Sequence, residues 1–230
     1  MPDIRLRLLE LTRSDPGLNM EDLATTPKGS VETELAELRR HGIVSYSHGV
    51  WTMDEMQRVK LAEQLIHEGK DPKKVARLLG WQEFEDFVQH ILFENGFQTQ
   101  KHLIFKTRSG SREIDVLAWN DTFTLAVDCK QWRNGLSTGR MRKAAQAQIE
   151  RATSLAWRPE LLHRLKLDNP ERRSITPVIL ALGELRDRLV DGVPVVPVSK
   201  LLSFLYGLSP LDDNIKRLKV PQHGPQSRLA

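Results

Sequence analysis

Two short apolar runs separated by a polar turn stand at the centre of the chain. The first run is Ile114–Ala118, the second is Phe123–Val127, and Asn120-Asp121-Thr122 lies between them. Apolar runs of this length on either side of a short turn predict two β-strands joined as a hairpin. The second run continues into Asp128, Cys129 and Lys130.

Three charged residues lie on this predicted hairpin. Asp115 interrupts the first run, and Asp128 and Lys130 end the second. Because side chains alternate along a strand, Asp128 and Lys130 project from one face and Cys129 from the other. If the strands pair, Asp115 lies near that face, and two carboxylates that repel each other normally need a cation. The competing interpretation is an ordinary surface ion pair, but a charge beside apolar neighbours is costly unless it is paired or metal-bound.

The first 53 residues have the pattern of a small, mainly helical domain. Helices are predicted at Ile4–Leu11, Met20–Ala24 and Ser30–His41, with Ser30 as the N-cap of the third. A hairpin of Ile43–Tyr46 and Val50–Thr52 follows. Three helices and then a hairpin are typical of a winged helix.

The predicted third helix leaves the function of this domain open. It carries three acids, Glu32, Glu34 and Glu37, before Arg39 and Arg40. Three acids on a recognition helix would repel phosphates. One hypothesis is therefore DNA contact through Arg39, Arg40 and the wing, and the other is a protein-docking or dimerising role.

The remaining pattern alternates helices and strands, which predicts an α/β domain. Helices are predicted at Asp54–Glu68, Lys73–Leu79, Trp81–Asn95, Arg140–Trp157, Glu160–Leu167 and Ser199–Leu208, and strands at Leu103–Lys106, Pro177–Leu182 and Val193–Val198. Pro194 and Pro197 predict that the last strand lies at an edge or bends. The predicted domains are 1–53, a helical linker at 54–80, the α/β domain at 81–220 and a disordered tail at 221–230.

Composition narrows the class of protein. The chain has 230 residues, of which 40% are hydrophobic, enough for one ordinary domain and a small one. The single cysteine, Cys129, excludes an intramolecular disulfide and a multi-cysteine zinc site. No apolar run approaches the roughly 20 residues of a membrane span, and the N-terminus lacks a signal-peptide core. We therefore expect a soluble, cytoplasmic protein with no membrane partner.

Positive charge is concentrated around the predicted hairpin. The net charge of the chain is +4, but the segment Gln98–Lys166 has 13 basic and 6 acidic residues, a net charge of +7. A basic surface around a pair of carboxylates suits a phosphodiester substrate, because the surface attracts the phosphates and the centre becomes positive once it binds metal.

These residues resemble a known family. Asp115 on one strand and Asp128-Cys129-Lys130 on the next resemble the PD-(D/E)xK nuclease superfamily, whose fold is called restriction-endonuclease-like. Mrr-type restriction endonucleases and archaeal Holliday junction resolvases are the most similar in pattern, since both add an acid on a preceding helix, an apolar stretch and a Gly-aromatic pair. Those elements match Phe84–Val88, which contains Glu85, then Ile91–Phe93 and Gly96-Phe97. The resemblance covers roughly Trp81–Leu205, and Ile114 replaces the proline of the family name.

The resemblance implies a fold, an activity and a metal. The expected fold is a mixed β-sheet flanked by helices, preceded here by the winged helix. The expected activity is metal-dependent endonucleolytic hydrolysis of DNA, in restriction, recombination or repair. Asp115, Asp128, the backbone carbonyl of Cys129 and Glu85 would hold Mg²⁺, or Mn²⁺ in its place. Lys130 would orient the attacking water or stabilise the transition state.

Further expectations concern DNA and other partners. The residues expected to contact DNA are Arg108, Arg112, Gln131, Arg140, Lys143, Gln146, Arg39 and Arg40. For the helix Arg140–Trp157 the alternative is a solvated face. No nucleotide cofactor is expected, and a homodimer is expected because one centre per chain must cut two strands. The alternative functions are an inactive DNA-binding or regulatory protein with a nuclease-like fold, and a protein that recruits partners through the winged helix.

Overall fold

The computed structural model describes residues 3–18, 20–23, 28–108, 110–132, 137–167, 174–183, 185 and 188–221. The predicted disordered tail therefore lies, from residue 222 onward, outside the described residues. The chain forms two compact units, residues 1–87 and 88–230. In the described part of the chain, no helix is both long and apolar enough to span a bilayer.

The first unit contains helices and a small antiparallel sheet. Its elements are α1 (Ile4–Leu11), β1 (Gly17–Leu18), a 3₁₀ helix (Met20–Leu23), α2 (Lys28–Arg40), β2 (Ser45–Ser47), β3 (Val50–Thr52), α3 (Glu55–His67), α4 (Pro72–Ala76) and the start of α5 (Trp81–Glu94). The strand order is β1-β3-β2. The helices and the hairpin follow the predicted order, with β1 as an additional strand, and the winged-helix assignment itself stays a prediction.

Local sequence signals set several of these helix ends. Asp3 accepts a hydrogen bond from the Arg5 N–H at the start of α1. Asp54 and Gln57 form a reciprocal capping box at the start of α3, and Asp71 caps α4 before Pro72. The predicted N-cap at Ser30 is wrong, because α2 begins two residues earlier, at Lys28.

The second unit is built on a mixed sheet. Its elements are the rest of α5, β4 (Gln98–Thr107), β5 (Gly110–Trp119), β6 (Thr124–Lys130), α6 (Thr138–Ala156), α7 (Pro159–Arg164), β7 (Ser174–Ala181), β8 (Leu189–Val190), β9 (Val193–Pro197), α8 (Leu201–Gly207) and β10 (Leu218–Lys219). Among the described residues the strand order is β4-β5-β6-β7-β9-β8, and β10 pairs with β7. Strands β4, β5 and β6 are antiparallel neighbours, whereas β6, β7 and β9 run parallel. This mixed α/β architecture agrees with the restriction-endonuclease-like core that the sequence predicted.

Helix α6 packs along the sheet and joins two clusters of the core. Met141, Ala145 and Ile149 pack with residues of β7 and β9, and Ala152, Leu155 and Ala156 pack with residues of β4, β5 and α7. The helix thereby lies against the strands that carry the charged residues.

Of the two alternatives predicted for the proline-containing strand, an edge position and a bend, the edge position is wrong. Strand β9 lies between β7 and β8. Pro194 pairs with Leu189 on β8. The hydrogen bond at this point comes from the neighbouring residue, since the Val195 N–H donates to Arg188 O at 2.9 Å. Pro197 is the last residue of the strand. Both prolines therefore occupy positions where the missing N–H interrupts little pairing.

A buried arginine holds the helices of the first unit together. The side chain of Arg58 on α3 is 3% exposed, and its Nε donates to Glu83 Oε1 at 2.6 Å. Its two terminal nitrogens donate to Leu9 O and Leu78 O, each at 2.6 Å. One guanidinium group thus binds α1, the segment after α4 and the first turn of α5.

We predict that Arg58→Ala destabilises the protein by about 3–5 kcal/mol, because it leaves a buried carboxylate and two carbonyls without their donor. Denaturant unfolding of the full chain measures the change. The control is Arg7→Ala, which removes an ion pair to Glu10 whose side chains are 44% and 58% exposed and should cost less than about 1 kcal/mol. Equal unfolding midpoints for the two variants would contradict this account.

Candidate active site

Two carboxylates meet where the pairing of β5 with β6 ends. The last pair of that ladder is Val116 with Val127, and the next residue on each strand is an acid, Asp115 or Asp128. The Cys129 N–H donates to Asp115 Oδ2 at 2.8 Å. The Asp115 side chain therefore takes the place of a strand partner at this point and is fixed beside β6.

Two cations bind the second carboxylate. Lys130 Nζ donates to Asp128 Oδ1 at 2.9 Å, and Arg151 Nη1 on α6 donates to the same oxygen at 3.1 Å. The Asp128 side chain is only 3% exposed, whereas those of Lys130 and Arg151 are 24% and 29% exposed. A buried negative charge thus faces two positive charges that reach partly into solvent.

A buried glutamine fixes the position of Arg151. Gln148, which is fully buried on α6, donates from Nε2 to Ala126 O on β6 at 2.7 Å. Its Oε1 accepts a hydrogen bond from Arg151 Nη1 at 3.1 Å. The helix, the strand and the two charged groups are therefore connected by one series of hydrogen bonds.

Two buried polar atoms at the site lack a hydrogen-bond partner among the described residues. They are Asp128 Oδ2 and Gln131 Nε2. Buried polar atoms in proteins are normally paired, and an unpaired one costs about 1–3 kcal/mol. Asp128 Oδ2 can therefore accept a hydrogen bond from a ligand or coordinate a cation, and Gln131 Nε2 can donate a hydrogen bond to a ligand.

Burial and charge repulsion perturb Asp115. Burial is the largest cause that raises the pKa of Asp115 above the ordinary carboxyl value of 3.8, and the negative charge of Asp128 raises it further. The Cys129 N–H, Lys130 and Arg151 act in the opposite direction without cancelling the rise. A cation bound between the two carboxylates would remove the electrostatic part of this cost.

The carboxylates fit a divalent metal by their chemistry. Mg²⁺ binds oxygen ligands, commonly one or two protein carboxylates together with water, and Asp128 Oδ2 is an available carboxylate oxygen. Within the described residues there is no group of three or more histidine, cysteine, aspartate or glutamate side chains that could hold a metal ion. The potential metal ligands that lie together in the second unit are thus the carboxylates of Asp115 and Asp128.

Three acids, Glu83, Glu85 and Asp86, lie near the start of α5. Glu83 already binds Arg58 and the Gly80 N–H, so it serves the first unit. Glu85 is 2% exposed, and its predicted part in the site stays a prediction. Asp86 is partly exposed.

The other predicted residues lie at several places on the surface. Arg108 directly follows β4, and Arg112 is half-buried on β5. Arg140, Lys143 and Gln146 are exposed on the N-terminal half of α6. Arg39 and Arg40 are exposed at the end of α2 in the first unit. Their predicted contacts with DNA stay predictions. Cys129 is buried.

The sequence did not indicate the hydrogen bonds of Gln148 or the backbone conformation of His102. Gln148 could have been noticed as a polar residue on the apolar face of α6. His102 lies between the pairs Lys101–Val116 and Leu103–Ile114, and so opposite Asp115, with a positive φ of 48°. Its Nδ1 lies 2.9 Å from Glu113 Oε1. No pattern in the sequence predicts a residue with positive φ at this position of the strand.

A comparison with known protein families agrees with the fold. A family model described as a restriction endonuclease, the Mrr catalytic domain, matches residues 76–156. This range contains Glu85, both aspartates, Lys130 and Arg151. An uncharacterized protein of Archaeoglobus fulgidus is 30% identical over 132 residues, which cover 56% of this chain and 91% of that protein.

Two solved structures have a remote similarity to the chain. A crystal structure of a protein of unknown function has 18% identity and a TM-score of 0.27 over 54% of this chain. A crystal structure of a protein from Vibrio cholerae has 13% identity and a TM-score of 0.34 over 87% of this chain. The chain covers 53% and 47% of those two structures, and TM-scores this low do not establish a common fold.

We predict that Asp115→Asn stabilises the metal-free protein at neutral pH. Because the pKa of Asp115 is raised in the folded state, the parent protein loses stability as pH rises from the ordinary carboxyl value through the raised one. The asparagine keeps an oxygen for the Cys129 N–H but does not ionise. The difference in unfolding free energy between the variant and the parent should therefore decrease at acid pH, where Asp115 of the parent is protonated in both the folded and the unfolded state.

Denaturant unfolding at a series of pH values, with a chelator present, measures this difference. The control is Asp213→Asn at an exposed position, which should leave the pH dependence unchanged. Parallel stability curves for Asp115→Asn and the parent would contradict the electrostatic account.

Proposed function

We propose that this chain, which belongs to the PD-(D/E)xK superfamily of restriction-endonuclease-like nucleases, is a metal-dependent endonuclease that hydrolyses phosphodiester bonds in DNA. The observation that carries the proposal is the meeting of Asp115 and Asp128 at the end of the β5–β6 ladder, beside Lys130 and Arg151. The two carboxylates, one of which has a buried oxygen without a partner, can bind a cation. The two partly exposed cations, Lys130 and Arg151, can bind a phosphate.

Asp115 and Asp128 would hold Mg²⁺ or Mn²⁺, together with the backbone carbonyl of Cys129. When bound, the metal supplies positive charge to the phosphate and makes a coordinated water more acidic. Glu85 is proposed as a further ligand, directly or through water, on the ground of the family pattern. The raised pKa of Asp115 implies that protons compete with the metal at this carboxylate.

The side chains of the site have separate roles in this proposal. Lys130, held by Asp128, orients the attacking water or stabilises charge on the phosphate oxygens in the transition state. The ammonium acts as a positioned charge rather than as a base, since it is ion-paired. Arg151 supports Asp128 and is itself positioned by Gln148. The donor Gln131 Nε2 is available for a substrate or water oxygen.

DNA is the proposed substrate because of the charge around the site. The segment Gln98–Lys166 carries 13 basic and 6 acidic residues, and positive charge attracts a polyphosphate chain in a salt-dependent manner. The family match supports the same substrate. We propose a homodimer for cutting both strands, since each chain provides one centre.

One observation favours a second function. Lys130 and Arg151 both form ion pairs with Asp128, which would also suit a nuclease-like protein that binds DNA or regulates a partner without cutting. The two functions differ in whether Asp115 and Asp128 bind a divalent ion and whether DNA is cleaved.

We predict that Asp115→Ala and Lys130→Ala each lower the rate of DNA cleavage by at least about 10²–10³-fold, the range found for single transition-state contacts. The assay uses single-stranded, duplex, flapped and four-way DNA with Mg²⁺ or Mn²⁺. The control is Arg7→Ala, which removes an exposed arginine from α1, outside the basic segment Gln98–Lys166, and should change the rate little. Cleavage by the two site variants at the parental rate would refute the proposal.

We also predict that Mg²⁺ stabilises the parent protein against unfolding but not Asp128→Asn. A ligand that binds the folded state at roughly tenfold excess over its Kd adds on the order of 1 kcal/mol. Thermal unfolding with and without Mg²⁺ detects this shift without DNA. An equal shift in both proteins would place the metal elsewhere, and no shift in the parent would favour the inactive alternative.

A further inference from the structure

A groove in the first unit lies between the C-terminal half of α2 and the β2–β3 hairpin. Its volume is about 850 Å³, and its lining includes Glu32, Arg39 and Arg40 from α2 and Tyr46, Gly49 and Trp51 from the hairpin. Small-molecule sites commonly have volumes of about 300–1,000 Å³. The space is thus sufficient for a nucleobase, and every residue that lines it belongs to one compact unit.

Aromatic rings and a guanidinium group form one side of this groove. Tyr46 and Trp51 oppose each other across the hairpin, with ring centroids 4.6 Å apart and ring planes tilted by 44°. The guanidinium carbon of Arg39 lies 5.7 Å from the centroid of the Tyr46 ring. The side chain of Tyr46 is 42% exposed, so its ring has area available for a further planar group.

The charges at the groove suit a nucleotide. Arg39 and Arg40 are exposed at its border and can bind phosphates, whereas the exposed carboxylate of Glu32 can accept a hydrogen bond from the amino group of a base. Stacking on aromatic side chains and on arginine is a general way to bind unpaired bases. The core of a protein interface, by contrast, is normally depleted of charged residues.

The acidic residues of α2 disfavour insertion of this helix into a groove of duplex DNA. Glu32 is exposed, and Glu34 is half-buried in an ion pair with Arg5. Apart from Lys28 at its first position, the basic residues of the helix are Arg39 and Arg40 in its last turn. Insertion of the middle of α2 into a duplex would therefore bring negative charge to the phosphates, whereas the cations that line the groove lie in the last turn of the helix.

We propose that this groove binds an unpaired nucleobase of DNA, stacked on Tyr46, Trp51 and the guanidinium group of Arg39, with Arg40 on a neighbouring phosphate. The choice of DNA rests on the proposed nuclease function. The first unit would then direct the protein to DNA that contains unpaired or everted bases.

Binding of two oligomers of equal charge to the full chain tests this proposal. One is an oligothymidine of about ten nucleotides, and the other is an abasic deoxyribose-phosphate chain of the same length. Fluorescence anisotropy is measured in a chelator, so that metal-dependent cleavage does not occur. The parent protein should bind the oligothymidine more tightly, because only this oligomer has bases to stack.

Trp51→Ala should weaken binding of oligothymidine by roughly 5- to 150-fold, the effect of losing one base–aromatic stack, and should leave binding of the abasic chain unchanged. Tyr46→Phe keeps a ring and should retain affinity. The matched control is Trp157→Ala, which removes an exposed tryptophan of the second unit and should change neither affinity.

Arg39→Ala and Arg40→Gln extend the test if Trp51→Ala disturbs the hairpin, since both arginines are exposed at the end of a helix. Arg39→Ala should weaken binding of oligothymidine more than binding of the abasic chain. Arg40→Gln should weaken both equally and lower the slope of log affinity against log salt by about 0.7, as for one phosphate contact on a single strand.

Equal effects of Trp51→Ala and Arg39→Ala on both oligomers, or no effect on either, would overturn the proposal and favour a protein partner for the groove. The outcome is separable from that of the nuclease proposal. A protein that cleaves DNA with Mg²⁺ but shows no preference for bases contradicts only the groove, and one that prefers bases but does not cleave contradicts only the nuclease.

Discussion

Repulsion between two carboxylates, Asp115 and Asp128, is the constraint on which the candidate site depends. The strands bring them together at the end of a ladder, partly out of water, where like charges interact strongly. The protein offsets this repulsion with Lys130 and Arg151 on a single oxygen of Asp128. The other oxygen is left without a hydrogen-bond partner among the described residues, and the pKa of Asp115 remains raised. We propose that a divalent cation held by both aspartates relieves the rest of this repulsion.

The architecture of the second unit explains how this arrangement is maintained. At Asp128 strand β6 is paired with β7, and beyond the end of the β5 ladder the Asp115 side chain accepts the Cys129 N–H, so Asp128 projects from backbone that is held on both sides. Helix α6 packs on the same strands and carries Gln148 and Arg151. An unfavourable pair of charges is thus held by favourable packing of apolar residues around it, as is common at functional sites.

The sequence predicted those parts of the structure that depend on local pattern. The strands that carry Asp115 and Asp128, the capped helices α1 and α3 and the hairpin near Tyr46 follow from apolar periodicity, capping residues and turn residues. The parts that depend on distant partners were not predictable. Pro194 and Pro197 indicated an edge strand, but tertiary pairing added the two-residue strand β8 outside β9. The bonds from Gln148 to Ala126 and from Arg151 to Asp128 join residues more than twenty positions apart, and a single sequence contains no signal for such partners.

The most direct test of the central claim is to locate the metal without reference to DNA. Mn²⁺ broadens the NMR signals of nearby nuclei, so its addition to the isotopically labelled full chain would identify the site. We expect early broadening of the backbone amide of Cys129, which donates to Asp115, and of those of Asp115 and Asp128, with recovery when excess Mg²⁺ is added. Broadening at other positions, with these three amides unaffected, would contradict it.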